Sequence, residues 1–269
     1  MTVSNYIFFL GGNDLEMQTI EKLLQQHVAL TQIKNKNLGW GANASAYKAE
    51  IDQALAEGKI PVLIELENDL PDLGKDSILI VDHHQEKAGA HAATALQQIW
   101  ILLGLSETDW LNNREYQLIA ANDRGHIAAM QAMNANVDEI KKIRERDRHA
   151  QGITTEQEQQ AQQAIEQRDQ KLDGQLTVVN LPHSACATVT DRLHTALGGE
   201  GYENLVIFSP HEVNFYGDGQ VIAQLAKLYP DSWYGGDLPQ RGFWGLAGNF
   251  DAQALVAEIE KLICTNSDT

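Results

Sequence analysis

The sequence is poor in cysteine and has no long hydrophobic run. Among 269 residues it contains two cysteines, Cys186 and Cys264, and no Cys-x-x-Cys pair. Two thiols cannot build a disulfide framework or a thiolate zinc site, and this usage is typical of a reducing compartment. No apolar stretch reaches the roughly 18 residues of a membrane span, and no basic leader with a cleavage site is recognisable. We therefore expect a cytoplasmic protein without a membrane partner.

Basic residues are also scarce. The chain has 20 Lys and Arg against 37 Asp and Glu, a formal net charge of −17. Binding along a nucleic-acid strand requires a basic face that neutralises phosphates, so the charge argues against a long nucleic-acid partner. A small anionic substrate is still compatible, because a bound metal ion reverses the sign of the local field.

The most informative stretch is the one that ends in Asp82, His83 and His84. The four preceding residues, Ile78 to Val81, are apolar and predict a buried strand. In an open α/β sheet, ligands bind at the carboxyl ends of the strands. A carboxylate and two imidazoles suit Mn²⁺, Zn²⁺ or Fe²⁺ better than Ca²⁺. The alternative is that Asp82 only caps the next helix and the histidines are loop residues.

Carboxylates also follow other predicted elements. Tyr6 to Leu10 predicts a strand that breaks at two glycines before Asp14 and Glu16, which begin a helix. Glu65 stands at the end of the next apolar strand, and Asp123 follows a helical run and precedes a glycine turn. Taken alone, Asp14 is as well explained as a helix N-cap. The value of these residues depends on whether they converge on Asp82.

The alternation of strands and helices predicts an α/β fold with a parallel sheet. The strands are expected at 6–10, 28–33, 60–66 and 78–81, and the helices at 14–26, 45–57, 90–103 and 113–121. Beyond them, 137–173 is rich in Gln and charged residues and predicts a solvated helical connector. We therefore expect a domain at 1–140, a helical linker at 141–174 and a smaller domain at 175–269.

The second predicted domain mixes strands and helices. Its strands are expected at 176–181, 205–209 and 212–216, and its helices at 187–197, 220–228 and 252–263. Between the last two helices lies a stretch in which Gly235, Gly236 and further glycines alternate with aromatic residues. Such glycines indicate a loop with close backbone approach rather than a packed element, and the alternative is a set of ordinary turns.

Taken in chain order, these motifs resemble the DHH phosphoesterase superfamily with its DHHA1-type C-terminal domain, over nearly the full chain. Val81-Asp82-His83-His84 reproduces the name-giving motif, and Asp123 followed by Gly125 resembles the fourth motif. Glu65, or alternatively Glu67, stands for the second. The first motif departs from the family, because Leu10 replaces a histidine and Glu16 an aspartate. The DHHA1 signature survives only as Gly235-Gly236-Asp237 and the later Leu246-Ala247-Gly248-Asn249-Phe250, without its histidine.

The resemblance implies a parallel-sheet domain with helices on both faces, a smaller mixed α/β domain, and one or two divalent ions, usually Mn²⁺, with Mg²⁺ or Co²⁺ as substitutes. The implied metal residues are Asp14, Glu16, Glu65, Asp82, His83 and Asp123, and Asp82 either ligates the metal or orients a ligand. His84 is implied to contact the scissile phosphate or to protonate the leaving group. The implied substrate-binding residues are Gly235, Gly236, Arg241 and Trp244. Trp244 or Phe243 is implied to stack on a base, and the alternative for either residue is packing only.

The predicted function is hydrolysis of small nucleotide substrates: short oligonucleotides, linear or cyclic dinucleotides, or a bisphosphorylated nucleotide. One alternative is a weakened member that binds a nucleotide as a sensor or sink, which the altered motif positions favour. Another is a pyrophosphatase or polyphosphatase. A homodimer is compatible with the sequence.

Overall fold

The computed structural model describes residues 3–39, 41–74, 77–83 and 93–267. The chain divides into two compact units, the first ending at Gly152 and the second beginning at Ile153. This division falls inside the range predicted as a linker, between two helices.

The first unit is built on a four-stranded parallel sheet. Its strands are β1 (Tyr6–Leu10), β2 (Ile33–Lys34), β3 (Ile60–Ile64) and β4 (Leu79–Val81), in the order β2-β1-β3-β4. Leu10 pairs with Ile64, and Ile64 pairs with Val81. Because these three strands are parallel and end in register, the residues that follow them emerge at one edge of the sheet.

Helices cover both faces of this sheet. They are α1 (Leu15–His27), α2 (Lys48–Ala56), α3 (Ala95–Leu102), α4 (Glu107–Asn112), α5 (Arg114–Ala132) and α6 (Val137–Ala150). Ile51 of α2 packs with Phe9 and Leu63 on one face. Phe8 and Val62, which point to the other face, are also fully buried. Strands buried on both faces are expected in a parallel sheet, and the predicted fold class is confirmed.

The second unit is a six-stranded mixed sheet with helices on both faces. Its elements are α7 (Thr155–Glu166), β5 (Asp169–Lys171), β6 (Leu176–Asn180), α8 (Ala187–Leu193), β7 (Asn204–Phe208), β8 (Glu212–Asp218), α9 (Gly219–Leu228), β9 (Trp233–Asp237), β10 (Arg241–Ala247) and α10 (Ala252–Ser267), and its strand order is β5-β6-β7-β8-β10-β9. Buried residues of α9 and α10 form one core with the sheet, and those of α7 and α8 form another. The mixed α/β prediction is confirmed.

Two local predictions were wrong. The strand expected at 28–33 is only Ile33–Lys34, because a 3-10 turn at Leu30–Gln32 occupies the preceding residues. The glycine-rich stretch after residue 232 forms the antiparallel hairpin of β9 and β10, instead of turns or an open loop. Glycine accommodates the aromatic rings of the opposite strand there, so the glycines mark close packing within a sheet.

The prediction of a solvated connector after Val137 was also wrong. Helix α6 buries a stripe on one side that consists of Ile140, Ile143, Arg144, Asp147 and Ala150, and α7 buries Ala161, Ala164 and Ile165. These positions recur at helical spacing, so both helices pack although their composition is polar.

Among the described helices, none combines the length and the apolar character that crossing a bilayer demands.

Candidate metal centre

Four predicted metal residues converge at the carboxyl edge of the first sheet. Glu16, Glu65, His83 and Asp123 each offer one ligand atom, and these atoms lie within 4.8 Å of one another. We call these residues the four-donor cluster. Donors bound to one ion at about 2 Å are at most about 4 Å apart, so small side-chain adjustments suffice to bind a single ion.

Two of the four donors, Glu65 and His83, follow a strand of the sheet directly or after one residue. Glu65 is the first residue after β3, with a φ of +49°, and its amide donates to the carbonyl oxygen of Val81 at 2.9 Å. His83 follows β4 after one residue, and its Nε2 lies 2.7 Å from Oδ2 of Asp123. The sequence prediction that carboxylates from separate elements converge here holds for these residues.

Glu16 reaches the cluster from the first turn of α1. It is 2% exposed, and its Oε1 accepts a hydrogen bond from the amide of Leu96 at 3.2 Å, at the N-terminus of α3. The other oxygen, Oε2, is buried with no hydrogen-bond partner among the described residues. A buried carboxylate oxygen aimed at a group of acidic side chains is the arrangement expected of a metal ligand.

Asp123 lies on α5 just before a break in that helix. Gly125 and His126 have non-helical backbone angles, and His126 has a φ of +50°. The predicted glycine turn is thus a kink within a helix that continues to Ala132. The buried Asn122 precedes Asp123, so the last turn of α5 before the kink holds the carboxylate against His83.

The electrostatics of the cluster favour a bound cation. Burial, and then repulsion from Asp123 and Glu65, raises the pKa of Glu16 well above its ordinary range. Burial, with repulsion from Asp123, Asp14 and Asp82, raises the pKa of Glu65 in the same direction. A divalent cation offsets this repulsion and lets the carboxylates ionise.

Asp14 and Asp82 lie beside the four-donor cluster and are not among its donors. Oδ1 of Asp14 accepts from the amide of Met17 at 2.8 Å, so Asp14 is the N-cap of α1. Burial raises its pKa to about 7, with smaller contributions from Asp123 and Asp147. Asp82 is half-buried, and its carbonyl oxygen accepts from Nε2 of Gln98 at 3.0 Å. Asp14 therefore caps helix α1 and also lies close enough to Asp123 for the two carboxylates to repel each other.

The position of the missing first-motif histidine is occupied by a core residue. Leu10 is fully buried, and its carbonyl oxygen accepts from the Tyr47 hydroxyl at 2.7 Å. His84, the predicted phosphate-contacting residue, lies outside the described residues. Its role stays a prediction.

Sequence reasoning missed three residues around the cluster. Thr94, fully buried at the N-cap of α3, hydrogen-bonds Glu16 through its side chain and lowers the pKa of that carboxyl group. Arg144 and Asp147 form a buried ion pair on α6. The sequence contains one indication of this ion pair: Arg144 and Asp147 stand three residues apart, at positions that share the apolar side of an otherwise polar helix.

Gly11 is required where the backbone of the first motif approaches the second. A Cβ atom at Gly11 would lie 2.3 Å from the carbonyl oxygen of Glu65 and 2.7 Å from that of Ile64. We therefore expect Gly11→Ala to displace Glu65 and to lower the free energy of unfolding by about 1 to 3 kcal/mol, the typical cost of overpacking a core. Thermal unfolding and titration with Mn²⁺ test this, and both stability and metal affinity should fall. Gly39→Ala is the matched control, because a Cβ atom there meets nothing within 4 Å; equal behaviour of the two variants would contradict the expectation.

In the second unit, the predicted substrate residues occupy different environments. Trp244 is fully buried in the core below α9 and α10, and its ring lies 5.6 Å from that of Tyr229. The stacking role predicted for Trp244 is therefore wrong, and the packing alternative is correct. Gly235 and Gly236 lie in β9, paired with β10, and not in a phosphate-binding loop. A phosphate contact from either stays a prediction.

Arg241 is exposed at the start of β10. Its Nη2 donates to the carbonyl oxygen of Glu203 at 2.9 Å, and the guanidinium lies 5.9 Å from the centre of the Tyr202 ring. These two contacts orient the charged group at the surface. Binding of a phosphate by Arg241 stays a prediction.

Comparison with known proteins agrees with the fold. No family model and no curated protein matches the sequence. An exopolyphosphatase-related protein from Bacteroides fragilis matches with a TM-score of 0.51 and 9% identity, over 98% of this chain and 93% of that chain. The pGpG-specific phosphodiesterase PggH from Vibrio cholerae matches with a TM-score of 0.43 and 14% identity, over 96% of this chain and 99% of that one. RecJ from Thermus thermophilus, in complex with Mn²⁺, matches with a TM-score of 0.46 and 11% identity, over 97% of this chain and 51% of that one.

At 9% identity, the likeness to the Bacteroides fragilis protein concerns the fold. The parallel sheet carries the Asp82-His83 pair and Glu65 at adjacent strand ends, with Asp123 facing them. The chain therefore shares its fold with that exopolyphosphatase-related protein.

Proposed function

We propose that the protein is a metal-dependent phosphoesterase that hydrolyses small nucleotides. The observation that carries this proposal is the convergence of Glu16, Glu65, His83 and Asp123 at the carboxyl edge of a parallel sheet. The strongly acidic chain supports a small substrate in preference to a long strand.

The donor set fits a divalent transition metal. Three carboxylates and one imidazole provide hard oxygen and borderline nitrogen ligands, which suit Mn²⁺. The four-donor cluster supports one ion, and Asp14, which lies close enough to Asp123 for that carboxylate to raise the pKa of Asp14, is a candidate for a further ligand. When bound, the metal would supply a water molecule of lowered pKa and would stabilise charge on a phosphoryl oxygen.

The remaining roles in metal binding and phosphate recognition would belong to side chains of the protein. Glu16, Glu65, His83 and Asp123 would hold the metal, and Asp82 would orient a ligand. His84 would contact the scissile phosphate or protonate the leaving oxygen, which requires a group within hydrogen-bond reach. Arg241 would bind a terminal phosphate through its guanidinium, whose planar donors match phosphate oxygens.

An exposed aromatic pair on the hairpin of the second unit supports a nucleotide substrate. Phe243 and Trp233, each 40% exposed, lie on the same face of β10 and β9. Phe243 stands opposite Gly235, where a Cβ atom would lie 2.8 Å from its ring, and Trp233 stands in the same way opposite Gly245. Both rings therefore lie over glycine backbone and are held in place. Rigid exposed rings of this kind stack nucleobases.

Activity on a panel of substrates tests the proposal. Purified protein is incubated with Mn²⁺ and linear dinucleotides, cyclic dinucleotides, short oligonucleotides, a bisphosphorylated nucleotide, and pyrophosphate. We expect release of a mononucleotide or phosphate from at least one nucleotide. Turnover of pyrophosphate alone would identify the pyrophosphatase alternative, and nucleotide binding without turnover would identify the sensor. Absence of both binding and turnover would refute the proposal.

The aromatic pair gives a separate prediction. We expect Phe243→Ala and Trp233→Ala each to weaken binding of the preferred nucleotide by about 1 to 3 kcal/mol, the typical value of one stacked base. Isothermal titration measures this. Tyr234→Ala is the matched control, because Tyr234 is 56% exposed and points to the opposite face of β9. A loss of affinity in the control equal to that in Phe243→Ala would contradict a stacking role.

A further inference from the structure

A buried ion pair lies on α6. Arg144 and Asp147 stand three residues apart, their side chains are each 5% exposed, and Nη1 of the arginine lies 2.9 Å from Oδ2 of the aspartate. Removing two charges from water is unfavourable unless both gain further polar partners. Those partners indicate what the pair does.

Each member of the pair bonds a segment that carries donors of the cluster. Nη1 of Arg144 donates to Oδ1 of Asn122 at 2.9 Å, and Asn122 directly precedes Asp123. Oδ1 of Asp147 accepts from the amide of Leu15 at 3.3 Å, and Leu15 directly precedes Glu16. One ion pair on one helix therefore connects the segment of Glu16 with that of Asp123.

The positive charge of Arg144 is also favourable at this position, beside several carboxylates. Asp147 is close enough to Asp14 for its negative charge to contribute to the raised pKa of Asp14. The guanidinium compensates Asp147 and adds a permanent positive charge beside a group of carboxylates. Because a guanidinium is planar and always charged, it holds its partners in fixed directions over the working pH range.

We propose that Arg144, together with Asp147, is a positioning pair for the metal centre and holds Glu16 and Asp123 at the separation that one divalent ion requires. The inference rests on the metal site of the proposed function and not on the substrate. It assigns a role to a helix whose composition indicates only a solvated connector.

The test is the affinity of the full-length protein for Mn²⁺ alone, measured by isothermal titration. Loss of a residue that orients metal ligands typically weakens metal binding about 10- to 100-fold, and we expect this for Arg144→Met. Arg144→Lys keeps the charge but not the planar fork and should fall between that variant and the wild type. The matched control is Arg146→Met, which removes a 2.8 Å ion pair between α6 and Glu115 of α5 at the surface. Surface pairs contribute little, so its affinity should stay within about twofold of the wild type.

Metal affinity separates positioning from simple support of the fold. If the pair only stabilised the helix, folded Arg144→Met would unfold at a lower temperature and bind Mn²⁺ as the wild type does, which would overturn the proposal. Circular dichroism at the titration temperature establishes that each variant is folded. If Arg144→Met does not fold, Arg144→Lys decides, and wild-type affinity in that variant would also overturn the proposal. Absence of Mn²⁺ binding by the wild type would remove the metal site itself, and the positioning role with it.

Discussion

Replacing His83 with alanine is expected to abolish the stabilisation of this protein by Mn²⁺. His83 is the one nitrogen donor of the four-donor cluster, and it lies 2.7 Å from Asp123. A ligand present at 100 times its Kd stabilises a protein by about 2.7 kcal/mol. Loss of a direct donor should weaken binding by more than the roughly 10- to 100-fold that an orienting residue contributes, so this stabilisation should vanish. Thermal unfolding with and without Mn²⁺ measures it.

The control for this variant is His27→Ala, which removes an exposed histidine at the end of α1. His27→Ala should gain the same increase in melting temperature on addition of Mn²⁺ as the wild type. If His83→Ala kept the full increase, the metal would bind elsewhere and the proposed centre would be wrong. Turnover of the preferred substrate should fall in parallel with metal affinity in the same variant.

Raising the pH is expected to destabilise the metal-free protein. Burial raises the pKa of Asp14 from 3.8 to about 7. A carboxyl group with a raised folded-state pKa is protonated in the folded protein while the unfolded chain is ionised, so stability falls as the pH rises from about 4 to about 7. This change in the pKa of Asp14 corresponds to roughly 4 kcal/mol in the free energy of unfolding. The raised pKa values of Glu16 and Glu65 act in the same direction.

Denaturant unfolding in EDTA between pH 4 and 8 tests this. Asp14→Asn should flatten the dependence, because asparagine is an equally good helix N-cap but does not ionise. Asp72→Asn, at an exposed aspartate of the same unit, is the control and should keep the wild-type slope. Mn²⁺ should restore stability at the upper end of the range, since metal binding requires deprotonated ligands. A metal-free protein that becomes more stable from pH 4 to 7 would contradict the assignment.

The convergence of Glu65 and His83 was predictable because both residues stand just beyond the ends of strands. Glu65 and His83 come directly or after one residue beyond buried strands, and in a parallel sheet such positions share one edge. Asp14 was open to two interpretations, N-cap or site residue, and the structure gives it the cap together with burial near Asp123. That combination depends on packing and was not visible in the chain order.

The second unit was less predictable at the level of individual side chains. Trp244 and Phe243 are adjacent aromatic residues in one glycine-rich stretch, yet one is fully buried and the other 40% exposed. Which of the two rings is buried depends on the face of the sheet to which each residue points, because successive residues of a strand point to opposite faces. A stretch that is predicted as a loop gives no such alternation, so the buried ring could not be identified from the sequence. Only the pairing of β9 with β10 determined it.

The sequence by itself determined the α/β class, the order of the elements and the acidic and histidine residues at the strand ends, because hydrophobic periodicity and turn residues are local properties. The tertiary structure alone decided which carboxylates join His83 in one cluster, and that Arg144 and Asp147 of a polar helix are buried behind it. Such contacts join residues more than a hundred positions apart, as Leu15 and Asp147 are joined, and depend on how helices pack.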